Sequence, residues 1–378
     1  MNIKANLALN DHDIRLNLFL GIANWSIFLD HIPNNAVNWI TGRNYGFSGA
    51  ADLFIFISGC TAATVYAKIM LERGALIGAT RIFKRVWQLY AAYIVLFTTY
   101  IVSIGYVATQ YSAPDLINEF NVAGLIDHPI RILAHALFLQ SKALNLDVLQ
   151  LYTILMLFFA PVLWIMLRRP GPIMAGSIVL YFAARQFGWN LSSFPDGDWY
   201  FNPFCWQLLF VFGAWIALNR AKASGPIFTS SIALYLGIGY LIFALVMTMA
   251  GRFPALGHPL PSWLDDAFNP NDKENLAPYR VLHFVVMVLV VIRFVPKDWP
   301  GLKWPIFDPL VKCGEQSLAV FCIGVFLSFI GHFTLMISSG SLMMQILVSS
   351  TGIAIMTLIA YYISWSKEQD AWKAIAPA

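Results

Sequence analysis

The feature that most restricts this chain is a run of about twenty apolar residues with almost no charge inside it, repeated from one end to the other. A helix rising 1.5 Å per residue needs about 20 residues to cross about 30 Å of hydrocarbon. Ten stretches fit that requirement: 14–33, 50–71, 84–109, 146–168, 172–190, 203–220, 228–250, 279–295, 315–337 and 343–365. The fifth carries Arg185 and Gln186 near its end. A shorter apolar stretch, 129–141, is too brief to cross and is expected to be re-entrant or interfacial. Only 12% of residues are charged, about half the share in soluble domains. Aromatics make up 15%, including 13 Trp, which suits a protein facing two membrane interfaces. The expected fold is therefore an all-α polytopic membrane protein of about ten transmembrane helices.

The basic residues orient it. They gather on one set of connections, most densely at Lys68, Arg73, Arg81, Lys84 and Arg85 and again at Arg293, Lys297, Lys303 and Lys312, with Arg220 and Lys222 on the same side. The opposite side holds Arg43, Arg131, Lys142, Arg185, Arg252, Lys273 and Arg280. The positive-inside rule then puts both termini in the cytoplasm. The reading divides the chain into a cytoplasmic tail at 1–13, one membrane domain at 14–366 and a second tail at 367–378. The polar residues 1–13 and the Asp30-His31-Ile32-Pro33 ending of the first run argue against a cleavable signal peptide. Cys60, Cys205, Cys313 and Cys322 all sit in apolar stretches without a CxxC pair, so small buried hydrophobes are expected, with no disulfide and no metal site. A net charge of +4, scattered along the chain, gives no basis for nucleic-acid binding.

Ionisable groups within or beside a span are costly and mark candidate sites. Asp30-His31 closes the first span, where an imidazole can serve as general base at neutral pH or simply cap an interfacial helix end. Asp52 opens the second span. It either orients that imidazole or acts as a carboxylate favoured in a first helical turn. Arg81 and Arg85, with Lys84 between them, share a helix face. They can grip phosphate or anchor the helix at the inner interface. Arg280 and His283 stand three apart at the start of the eighth span.

The segments Arg15-Leu-Asn-x-x-x-Gly21-x-Ala23 and Asp30-His31-Ile-Pro resemble the opening of the OpgC family, within the acyltransferase-3 class of membrane acyltransferases. So do Arg43-Asn-Tyr-Gly-Phe-Ser48, Phe54-Ile-Phe-Ile-Ser-Gly59, Arg81-x-x-x-Arg-x-Trp-Gln-x-Tyr90 and Asn202-Pro-Phe-x-Trp-Gln207. The family usually opens Arg-x-Asp-x-x-Arg-Gly, with a catalytic His eleven residues after the second Arg, and His31 matches that His. Two positions depart from the pattern: Asn17 stands for the Asp and Leu20 for the second Arg.

The resemblance implies a bacterial inner-membrane transferase that moves succinyl, or a similar acyl group, from cytosolic acyl-CoA to a hydroxyl of a periplasmic glucan. Succinyl-CoA would be a co-substrate, with no tightly bound cofactor. His31 would be the base, helped by Asp30 or Asp52, and Arg81, Lys84 and Arg85 would meet the coenzyme phosphates. Ser58, Gln150 or Tyr152 would donate to the oxyanion, with Arg280 and His283 near the acyl or acceptor groups. The alternatives are a catalytically lapsed relative serving as a scaffold, for which Asn17 and Leu20 are the hint, and a transporter or flippase of acyl or glucan intermediates. Paired broken helices or internal repeats would favour the transporter.

Overall fold

The computed structural model describes residues 13–375 except 112–116, 118, 123–127, 142, 195 and 220–229. Most of the N-terminal tail, Lys142, Arg220, Lys222 and the last three residues therefore lie outside the described residues, as does the junction between the sixth and seventh apolar stretches.

The described chain is helical, with isolated bridges and no named strand. Its helices are α1 (Ile14–Asp30), α2 (Ala50–Arg73), α3 (Ala75–Gln110), α4 (Pro129–Leu137), α5 (Asp147–Leu157), α6 (Phe159–Met166), α7 (Pro170–Phe187) and α8 (Pro203–Leu218). They continue with α9 (Ser231–Arg252), α10 (Pro254–Gly257), α11 (Ser262–Phe268), α12 (Pro278–Phe294), α13 (Asp308–Glu315), α14 (Ser317–Ile337) and α15 (Leu342–Ile375).

Each of the ten apolar stretches holds a helix. Five of those helices (α2, α3, α9, α14 and α15) are long and apolar enough to cross a membrane, and α5 with α6 makes a sixth if that pair, bent by 53°, counts as one span. The remaining stretches give helices of 17, 18, 16 and 17 residues in α1, α7, α8 and α12. At 1.5 Å per residue these reach about 24–27 Å, a little less than the hydrocarbon thickness.

The chain clusters into two compact units, and α2 contributes to both, its first residues to one and those from Ser58 onward to the other. The first unit runs from Ser58 to Arg220 and includes 272–277. Within it the chain doubles back along α3. The Tyr90 hydroxyl donates to the carbonyl of Leu137 at 2.9 Å, so the end of α4 lies about 30 Å, or twenty residues of rise, from the Gln110 end of α3 where its connection begins.

After α4 the described part of the returning chain, up to α5, is not helical, so its polar backbone groups need partners. Gln150 of α5 supplies them. Its amide nitrogen donates to the carbonyls of Leu139 (3.2 Å) and Ser141 (2.9 Å) and lies 3.0 Å from the Tyr93 hydroxyl. One level further along, Asn145 donates to the Tyr100 hydroxyl.

Elsewhere in the unit, the charge of Arg185 is met by Asp272 at 3.0 Å and by the carbonyl of Asn275 at 2.7 Å. The buried Trp206 donates to the carbonyls of Lys273 and Glu274.

The second unit holds Asn10–Ile57, 221–271 and the chain from Pro278 onward. Asp13 caps α1 by accepting from the Arg15 amide, and its carboxylate pairs with the Arg15 guanidinium at 2.8 Å. The α1 backbone then packs directly on α13. Gly21 lies against the carbonyl of Leu310, and Gly314 against that of Asn17, so neither glycine has room for a Cβ. Phe28, Leu29 and Ile32 complete a core with Cys313, Val320, Met356 and Ala360. The thiols of Cys60, Cys205 and Cys313 are buried and that of Cys322 is half-buried.

Candidate active site

The second unit carries its polar chemistry where α1 ends. His31 caps that helix, its backbone amide 3.0 Å from the carbonyl of Ile27. Pro33 prevents continuation, and Asn34 turns the chain at φ +56° into two 3₁₀ turns, Ala36–Ile40 and Gly42–Asn44. The half-buried Asp30 accepts from the Thr41 hydroxyl at 2.7 Å, and its carboxylate lies 3.9 Å from Arg43 Nε. Arg43 also donates to the Asp30 carbonyl at 3.3 Å. Asn35 donates to Ser349 and the Ala36 amide to Gln345, which tether the loop to α15. His31, itself half-buried, thus leaves a helix end whose neighbouring carboxylate is fixed from two sides.

The loop finishes in a buried ionic cluster. Arg280 of α12 clasps the Asp52 carboxylate through Nε (2.9 Å) and Nη2, and its third nitrogen donates to the carbonyl of Phe47. Asp52 accepts in addition from the Gly49 amide at 2.8 Å. The Asp52 and Arg280 side chains are 0% and 5% exposed. A buried pair needs this many hydrogen bonds, because desolvating two charges costs several kcal/mol each. His283 joins the cluster through Nδ1, 2.6 Å from the Ser48 hydroxyl, and its other ring edge faces Gly46, where any side chain would collide with the imidazole. Asn271 donates to the Phe47 carbonyl from a third element, and the Phe47 ring packs among Tyr240, Phe243, Phe268 and Tyr279.

Asp52, Arg280 and His283 therefore come together, and His31 stands with Asp30 at the other end of the same loop. Asp52 directs its carboxylate to Arg280 and the Gly49 amide, so its visible work is to fix the loop. Thr41 and Asn271 join these networks without any sequence signal, since single polar residues in loops follow no spacing, and Ser48 is marked only as the end of the segment 43–48.

The other candidates belong to the first unit. Arg81 and Lys84 are exposed on α3 and Arg85 is half-buried. Arg85 and Tyr152 both lie within electrostatic reach of the Tyr66 hydroxyl. At 100° per residue, Arg81, Lys84 and Arg85 face away from the side of α3 that carries Phe83, Val86, Trp87 and Tyr90. That side lines an apolar groove of about 310 Å³ with Leu137–Leu139 and α5. Ser58 is buried on α2, and the Gln150 amide donors are committed to Leu139 and Ser141. Among the described residues no three His, Cys, Asp or Glu side chains assemble as metal ligands.

Long apolar helices around a buried Asp–Arg pair and a helix-end histidine define a helical membrane protein with an ionisable centre. More narrowly, the chain belongs to the OpgC family: the family described as OpgC protein matches residues 12–368, which takes in every candidate residue above. The chain matches no curated protein and no solved structure.

Proposed function

We propose that this protein is a glucan-modifying membrane O-acyltransferase of the acyltransferase-3 class, seated in the bacterial inner membrane with both termini in the cytoplasm. It moves a succinyl or similar acyl group from cytosolic acyl-CoA to a hydroxyl of a periplasmic glucan. Family membership supports the reaction class. The observation that carries the assignment of roles is the end of α1, where His31 follows a carboxylate already fixed by Thr41 and Arg43.

In this reading His31 takes the proton of the acceptor hydroxyl as its oxygen attacks the thioester carbonyl. The tetrahedral intermediate collapses with cleavage of the carbon–sulfur bond, and the imidazolium returns its proton to the departing thiolate. The ester and free CoA are the products. Asp30, one residue away, offsets the charge on the imidazolium. The Asp52–Arg280 pair holds the far end of the loop and acts as a positioning element. Arg81, Lys84 and Arg85 supply cationic donors for the coenzyme phosphates.

Labelled succinyl-CoA, periplasmic glucan and purified protein test the proposal. Transfer by the wild-type protein, and its loss in His31→Ala at unchanged membrane accumulation, is the expected outcome. A wild-type protein that transfers nothing and is not stabilised against heat by millimolar CoA overturns it. The scaffold reading then takes over, favoured by the burial of Leu20 where the usual family pattern has a cation.

A further inference from the structure

Near Asp30 and Trp39 lie two arginines, of which the proposed mechanism uses Arg43 only to fix Asp30 and Arg252 not at all. Arg43, on the Gly42–Asn44 turn, is 46% exposed, lies 3.9 Å from the Asp30 carboxylate and donates to the Asp30 carbonyl at 3.3 Å. Arg252 is the last residue of α9, and its guanidinium carbon sits 5.1 Å above the centre of the Trp39 ring. Trp39 is itself fixed: its ring packs on Phe253 with 5.7 Å between centroids, and its carbonyl accepts from the Tyr45 hydroxyl at 2.6 Å. Two charged groups act on Arg252, Arg43 by repulsion and Asp30 by attraction, and Tyr45 lies in the same field. Arg252 donates no hydrogen bond to any described residue. The Asp30 carboxylate lies 3.9 Å from Arg43 and already accepts from Thr41.

A cation within about 6 Å of an indole face is attracted to it, which holds the Arg252 guanidinium near Trp39. A planar fork held in that way matches a carboxylate or phosphate. The geometry points to an oxyanion subsite made by Arg252 and Arg43 on the Trp39 platform, one residue along the chain from His31. Its ligand is an anionic group on the substrate that reaches the imidazole, carried either at the far end of the acyl group or on the acceptor sugar. Arg252 is then a specificity-determining residue, separating substrates with that anion from neutral ones. This inference rests on the acyl-transfer reading for its substrate and on the geometry beside Asp30 for its site.

The experiment measures transfer by wild type, Arg252→Gln, Arg252→Lys and Arg43→Gln. Donors are succinyl-CoA and propionyl-CoA, and acceptors are neutral and phosphate-bearing glucans. For Arg252→Gln the expected result is a KM about tenfold or more higher for the substrate carrying the anion, the size of one lost charge-assisted contact. The same variant leaves the neutral counterpart unchanged, and Arg252→Lys recovers part of the loss. A deficit that follows the donor assigns the anion to the acyl group, and one that follows the acceptor assigns it to the sugar.

Equal losses on every substrate, or none, overturn the subsite and leave Arg252 as an interfacial anchor. Should Arg252→Gln fail to accumulate, Arg252→Lys carries the comparison alone. If the wild type transfers nothing, the functional reading has failed separately. The subsite then stands or falls on heat stabilisation by succinate or inorganic phosphate, which the wild type must show and Arg252→Gln must lack.

Discussion

Both units bury a length of non-helical chain, and they do so with opposite chemistry. In the first, the chain returning along α3 is held by neutral groups: Gln150 with the carbonyls of Leu139 and Ser141, Tyr93 beside it, and Asn145 on Tyr100. In the second, the loop after α1 is held at one end by a full ion pair, Asp52 with Arg280. A neutral network degrades by single hydrogen bonds. An ion pair without water around it tolerates removal of both partners far better than removal of one.

The largest expected effect follows from that asymmetry. Arg280→Met leaves the Asp52 carboxylate buried with no countercharge and should cost about 3–5 kcal/mol, read as a collapse of membrane accumulation or of the heat-aggregation midpoint in detergent. Asp52→Leu combined with Arg280→Met removes both charges and should recover most of the loss. A double variant as poor as the single one would break the comparison, because the cluster's worth would then lie in its shape.

A charge placed deliberately in the second unit comes next. Leu20 is 8% exposed on α1, and the face it shares with Asn17 is close to α13, where Gly314 touches the Asn17 carbonyl. Leu20→Arg alone should cost about 2.5–3.5 kcal/mol, the penalty for an unpaired cation at membrane depth. Asn17→Asp added to it restores the pair three residues away and should return at least half of that by the same thermal assay. Succinyl transfer measured on the double variant shows in addition whether the substitution at these two positions changes turnover.

Helix positions were legible because an apolar run is a local property. All ten runs hold helices, and the Arg185 that interrupts the fifth is accounted for by Asp272. The 53° bend at Phe158 has a local signal in Pro161, whose ring displaces the carbonyl of Leu157 and which donates no helical hydrogen bond, but the apolarity of 146–168 alone does not show it. Asp52, Arg280 and His283 were each recognisable as costly groups at span edges. Their association across 228 residues was not, because sequence separation says nothing about which helix ends meet. Gln150 shows the opposite error. A polar side chain in an apolar run reads as a catalytic donor, yet its donors hold a returning chain that only the fold reveals. Arg252 and Trp39 lie on separate elements, and no spacing joins them.

In the first unit, Gln150→Leu should cost about 1–3 kcal/mol, because the carbonyls of Leu139 and Ser141 lose their donor. The loss should be confined to the returning segment. Hydrogen exchange should rise at 137–145 while α7 and α8 keep their protection. Exchange that rises throughout the unit would mean the neutral network supports the whole bundle, which would make the two units more alike than their chemistry implies.

The smallest effect probes the boundary between the two chemistries. Ser48 and His283 form a hydrogen bond inside the ionic cluster, 2.6 Å long and buried on both sides. If the bond behaves as an ordinary pair, Ser48→Ala should cost about 1 kcal/mol, close to the lower end expected for Gln150→Leu and far below Arg280→Met. The imidazole keeps its place in either case, because Gly46 closes its other edge and leaves it nowhere to turn. A loss near that of Arg280→Met would mean that Ser48, His283, Asp52 and Arg280 melt as one body. Loop and α12 would then be coupled through the imidazole as well as the ion pair, and His283 would count among the groups that position His31.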